Sequence, residues 1–166
     1  MTGTGVLLSA CGLLLGGQPQ PPGRHPVAIQ RQLDRAVGDV ENVLSLNSSE
    51  VAADFHNEEC SGYDFPGPSV QPLDDDPRKV MYPLYVLSYH FSIPETRKRA
   101  EGEKALQSLR SGLAAKNWRI RDLDTGPPPQ FNATKGDLSM NARHEAPDLD
   151  NAKVTVTSRC FKHPNA

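Results

Sequence analysis

The apolar positions of this chain fall into blocks of different spacing, and the spacings separate helices from strands. In residues 27–46, VAIQRQLDRAVGDVENVLSL, the residues Ile29, Leu33, Val37, Val40 and Leu44 recur every three or four positions. That spacing lines them up as one stripe of an α-helix. Pro26 suits the first helical position, where an N–H would have no partner anyway, and Asn47-Ser48-Ser49 is the predicted stop. Residues 82–93, YPLYVLSYHFSI, alternate instead. Tyr85, Leu87, Tyr89, Phe91 and Ile93 share one face, with Leu84, Val86, Ser88 and His90 on the other. Apolar residues on both faces predict a central strand. Ser92 and Glu95 have capping-box spacing around Pro94, so a second helix is predicted from there to about Lys116. It would bury Ala105, Leu106, Leu109 and Leu113 and end at Asn117, a residue type that tolerates the left-handed conformation.

The remaining pattern is that of antiparallel strands. Trp118 and Ile120 alternate with Arg119 and Arg121 before a proline-rich turn at 124–129. Residues 131–135 and 138–144 flank Gly136-Asp137, a glycine-first pair suited to a type II′ hairpin. In residues 153–161, KVTVTSRCF, the residues Val154, Val156, Ser158 and Cys160 alternate onto one face, which predicts a last strand pointing Cys160 into the core. Residues 52–79 show no such period and hold several prolines and glycines, so they read as irregular. Asp74-Asp75-Asp76 within them reads as a solvated acidic loop, because the glycine and glutamate of an EF-hand do not follow at the required spacing. The order helix, strand, helix, about four strands predicts an α+β fold. Two helices would pack on one face of a mostly antiparallel sheet of about four to five strands.

Composition narrows the organisation more than the function. The chain has 166 residues, enough for one core but not two. Its 15 prolines and 13 glycines gather at 16–26, 61–77 and 124–130, which read as linkers and loops. A formal net charge of −2 with scattered Lys and Arg gives no reason to expect a nucleic-acid partner.

The long apolar run is GVLLSACGLLLGG at residues 5–17. It is shorter than the ~20 residues of a membrane-spanning helix and suits the apolar region of a secretory signal. Within it, Leu8-Ser9-Ala10-Cys11 follows the order aliphatic, small, small, cysteine, and small residues suit passage through the narrow site of a signal peptidase. This stretch resembles the lipobox of bacterial lipoproteins. Together with the proline-rich segment after it, the two later cysteines and Ser158-Arg159-Cys160-Phe161 near the end, it resembles small actinobacterial lipoproteins of unknown function. The resemblance implies that the Cys11 thiol receives a diacylglyceryl group and becomes the mature N-terminus. Two acyl chains would anchor the protein stably on the extracytoplasmic face of the cell membrane. The expected division is a signal segment at 1–17, a proline-rich tether at 18–26 and a single α+β domain at 27–166. The chain has three cysteines, and assigning Cys11 to lipid leaves Cys60 and Cys160, which an exported protein is expected to pair.

Candidate chemistry is sparse. None of His25, His56, His90, His144 and His163 falls in a zinc-ligand spacing. The run His56-Asn57-Glu58-Glu59-Cys60 has the residue types of a metal site, but a disulfide-bonded Cys60 has no thiolate to give. There is no nucleophile elbow, phosphate-binding loop or dinucleotide fingerprint, so no cofactor, metal or catalytic residue is assigned. His90, on the less apolar face of a central strand, is expected to be buried and to need a polar partner. His144 is expected to be exposed at a strand end. Trp118 with Tyr82, Tyr85 and Tyr89 reads as core rather than as the lining of a ligand groove. The expected function is binding or an accessory role: a sheet face, groove or loop presented to another envelope component. The alternative is a secreted hydrolase or metal-dependent enzyme working through His90 or His144.

Overall fold

The amphipathic stripe of residues 27–46 forms the first helix, α1 (Pro26–Leu44), with Ile29, Leu33, Ala36 and Val40 on its buried face. The computed structural model describes residues 20–47, 51, 53–62, 68–76, 78–93, 99–124, 129–144 and 151–166. Cys11, the signal segment, Ser48, Ser49 and the Pro94–Glu95 part of the predicted capping box lie outside these residues. α1 stops earlier than the Asn-Ser-Ser run suggests. Ser45 takes the left-handed conformation at φ 54° and closes the last turn onto the carbonyl of Glu41.

The other elements follow in the order β1 (Asp54–Glu59), β2 (Leu84–Ser92), α2 (Arg99–Ala115), β3 (Arg119–Asp124), β4 (Gln130–Lys135), β5 (Leu138–His144), β6 (Ala152–Ser158) and β7 (Phe161–Lys162). The fold is α+β, as predicted, but among the described residues the sheet has seven strands rather than four or five. Its order is β1-β2-β6-β5-β4-β3, with every pairing antiparallel and β7 paired to β2. β2 is internal, next to the edge strand, flanked by β1 on one side and by β6 and β7 on the other. Tyr85, Leu87, Tyr89 and Phe91 of β2 join Val154 and Val156 of β6 and Met140 of β5 against the helices. Leu106, Leu109 and Leu113 of α2 are fully buried there, as the helical period requires. Asn117 closes α2 in the left-handed conformation at φ 64°. Gly136 at φ 59° opens the β4–β5 hairpin, where a type II′ turn needs a positive φ at its first central position.

Two strands depart from the sequence reading. β1 lies inside the stretch read as irregular. Its residues, DFHNEE, include one apolar side chain, and its register is supplied by β2, from Asp54 opposite His90 to Glu59 opposite Tyr85. The last strand divides into β6 and β7. Ser88 lies opposite Thr157, yet Tyr85 lies opposite Phe161, so the 158–160 segment holds one extra residue, a β-bulge. The extra residue flips the alternation. Phe161, not Cys160, is buried with Val154 and Val156, and Cys160 is only partly covered. Cys60 and Cys160 form the expected disulfide, with Cα atoms 5.8 Å apart and a sequence separation of 100.

The segment before α1 is docked on this part of the sheet. Gly23 makes a parallel bridge with Lys162, Arg24 N–H donates to the Lys162 carbonyl at 3.1 Å, and Lys162 N–H donates to the Pro22 carbonyl at 3.0 Å. The Tyr85 hydroxyl donates to the Arg24 carbonyl at 2.9 Å, and Pro21 is buried. The acidic loop also differs from its predicted solvated state. Asp74 and Asp75 are exposed, but Asp76 is fully buried. Its carboxylate accepts the backbone N–H groups of Arg78 at 2.9 Å and Val80 at 2.8 Å, which explains why it turns inward.

Candidate functional site

Both helices pack on one face of the sheet, so the register alone decides what the other face carries. Alternate residues of six strands meet there in two rows. One row runs Asp54, His90, Thr155, Asn141, Asn132, Arg121 from β1 to β3. The next runs His56, Ser88, Thr157, Ser139, Thr134, Arg119. Every member is polar or charged. Asp54 and Glu58 lie on the β1 side, while Arg119, Arg121, Arg143 and Lys153 lie toward the opposite strands. The two rows make a hydrogen-bonding face with acidic and basic sides, continued on β2 by Val86 opposite Glu58.

Neighbours across the rows hold one another. Asn141 Nδ2 donates to Asn132 Oδ1 at 2.8 Å, and His90 Nε2 lies 3.1 Å from Ser88 Oγ. The rings of His56 and His90 meet edge to face with centroids 4.7 Å apart. His90 is exposed on this face rather than buried, because its partners across the sheet, Asp54 and Thr155, bring no layer above it. His144 is on the other face. Its imidazole lies so close to Gly102 of α2 that a Cβ there would collide with the ring. The two histidines singled out for an enzyme therefore point to opposite sides of the sheet and share no site. His56 and Glu58 do share a face, as strand alternation requires, but Cys60 is held in the disulfide. Among the described residues, no group of three or more His, Cys, Asp or Glu could hold a metal ion.

A second polar cluster is internal. His163 is fully buried, and its Nδ1 accepts the Asn165 N–H at 3.1 Å. That bond leaves the ring proton on Nε2, which has no hydrogen-bond partner among the described residues. Tyr85 packs against the ring edge to face at 6.1 Å. Loss of water holds the His163 pKa below the ordinary value, aided by the nearby His25 and opposed by Asp76. His90 is shifted the same way, by partial burial among its strand neighbours and then by His56, against Glu58 and Asp54.

Both shifts predict acid sensitivity. A histidine whose folded pKa is depressed is neutral in the fold while the unfolded chain, titrating near ~6.5, already binds its proton. The stability present above about pH 6.5 is therefore lost as the pH falls from there toward the folded values. Thermal melts between about pH 7.5 and 5 should show this decline. His163→Gln should lower the melting point at every pH but flatten the slope, and slopes that run parallel in the two proteins would refute the assignment.

No family model matches the chain, and no curated protein or solved structure matches it. Among the described residues, no helix is long and apolar enough to cross a membrane.

Proposed function

We propose that the protein is an exported, lipid-anchored component of the cell envelope whose role is binding, with Cys11 as the lipidated residue and the open sheet face as the binding surface. The observation that carries the export reading is the Cys60–Cys160 disulfide. It uses two of the three cysteines, leaving Cys11 to the lipid. The binding reading rests on the two polar rows. An antiparallel sheet packed on one side commonly leaves its other face solvated, and here hydroxyls and amides line up on that face with opposite charges at its two sides. Such a face suits a polar partner with complementary charge in the envelope.

Intact mass of the protein from its native host, with and without reductant, tests the anchor. The expected species begins at Cys11, carries a diacylglyceryl or triacyl group and gains two hydrogens on reduction. A full-length chain with three free thiols would overturn the proposal. A photo-crosslinking residue placed at Asn141 or Thr155 tests the face. It should capture an envelope component that the same group at Gln107, on the exposed side of α2, does not. Equal capture from both positions, or none from the face, would remove the binding role from this surface.

A further inference from the structure

On the helix side of the sheet a cleft opens between α1 and the β4–β5 hairpin. Its volume is about 310 Å³, at the small end of ligand pockets. Ala36, Trp118 and Leu138 supply an apolar floor, and Gln32, Arg35, Asp39 and Lys135 supply the polar walls. Trp118 is placed there by the end of α2. The left-handed Asn117 turns the chain, and Trp118 N–H then donates to the Leu113 carbonyl at 3.0 Å. The indole is almost wholly covered, and its Nε1–H donates to Asp39 Oδ2 at 2.9 Å.

The charges in the cleft are unequal. Asp39 also accepts from Lys135 at 3.2 Å and faces Lys116 at 3.4 Å. Burial pushes its pKa up, but the bonds from Trp118, Lys135 and Lys116 outweigh burial and hold it ionised below the usual carboxylate range. The single carboxylate is thus already matched by two lysines. Arg35 is an additional cation, exposed on α1 and without an ion pair among the described residues. It faces the same cleft as Lys135, from the opposite wall. The Lys135 ammonium also lies 5.7 Å from the Trp118 ring centre, which fixes it at the boundary between floor and wall.

We propose that this cleft binds a small organic anion, a carboxylate or phosphate carried on a single apolar ring. The ring would lie over Ala36, Leu138 and Trp118, and the acid group would take the charge-assisted bonds offered by Arg35 and Lys135. A cationic ligand would face an uncompensated Arg35. A neutral one would leave the arginine desolvated without a partner, which costs affinity. The site is separate from the open sheet face and does not depend on it.

Trp118 is the sole tryptophan, so its fluorescence and its indole N–H resonance report this cleft alone. Titration with phenyl phosphate should move both signals saturably. Arg35→Gln and Lys135→Gln should each weaken binding roughly tenfold, the loss of one charge-assisted bond. Arg31→Gln removes the same charge from the same helix but from a residue outside the cleft, and should leave the affinity unchanged. Benzyl alcohol, which keeps the ring without the anion, should give no saturable response, and inorganic phosphate should bind at least about tenfold more weakly. The proposal falls if phenyl phosphate gives no saturable shift, if benzyl alcohol matches it, or if Arg31→Gln weakens it as much as Arg35→Gln. Equal binding of inorganic phosphate would equally remove the apolar ring from the ligand.

Discussion

Replacing Cys60 and Cys160 together by alanine is expected to lower the unfolding free energy by about 4 kcal/mol, the entropy a crosslink spanning 100 residues removes from the unfolded chain. For a chain of this size that is a fall of roughly 10 °C or more in melting temperature. The loss should be uneven across the molecule. β1 lies at the edge of the sheet order, paired with β2 alone among the described residues, and its side chains are exposed or partly exposed throughout. Cys60 follows it directly, its N–H donating to the Leu84 carbonyl at 3.2 Å. Without the bridge, β1 should open first, so hydrogen exchange at residues 54–59 should accelerate more than at the buried centre of β6. Urea unfolding of the double variant measures the first expectation and exchange mass spectrometry the second. A loss below about 1 kcal/mol would mean that the sheet pairing alone holds the two segments.

Asp76→Ala is the other substitution with a large expected cost. The carboxylate is fully buried and accepts two backbone N–H groups, from Arg78 and Val80. Between those two donors Lys79 is held in the left-handed conformation at φ 51°, which a residue with a Cβ adopts only under constraint. Removing the carboxylate leaves both donors without a partner and releases the constraint, at a cost of about 3 kcal/mol. Asp76→Asn keeps the shape and one acceptor oxygen but turns an amide N–H₂ toward the other donor, so about half that cost is expected. Urea denaturation of both variants separates the cases. An Asn variant as stable as the parent would show that a single acceptor suffices for the turn.

The sequence made the helices and the hairpin legible because their signals are local. The stripe of Ile29, Leu33 and Val40 needs no partner to be recognised, and Gly136 and Asn117 carry their backbone preferences with them. β1 was illegible for the opposite reason: Phe55 is its one apolar side chain, and its extended form comes from the hydrogen bonds of β2. The bulge at 158–160 was hidden as well. Val154, Val156, Ser158 and Cys160 alternate without a break, and only pairing with β2 shows that the register slips by one residue. Asp76 could not be told from Asp74 and Asp75 by residue type, since the difference lies in which backbone donors the loop brings to it.

The open face was half visible. Each strand's outward positions read as polar, among them Asn141, Thr155 and His90. Their assembly into rows depends on the register of five strand pairings, the longest-range of which joins Ser88 to Thr157, and no local pattern encodes that. The cleft is similar. Trp118 reads as core from the sequence, and it is almost wholly covered, but the lysines and arginine beside it come from α1, α2's end and β4, which periodicity treats as unrelated solvent-facing positions.

The docked segment at residues 22–24 also fixes where a mechanical load would enter the fold. A pull on the chain ahead of Pro21 would be carried first by the two backbone bonds to Lys162. Because that pairing is parallel, both bonds resist together, in shear, rather than opening one after the other. Lys162 lies two residues from Cys160, whose covalent link passes the tension to Cys60 and so to the far edge of the sheet. A tug on the N-terminal side would thus be spread across β7, β2 and β1 before it reached α1, leaving the helix layer and the cleft beside it outside the path of the force.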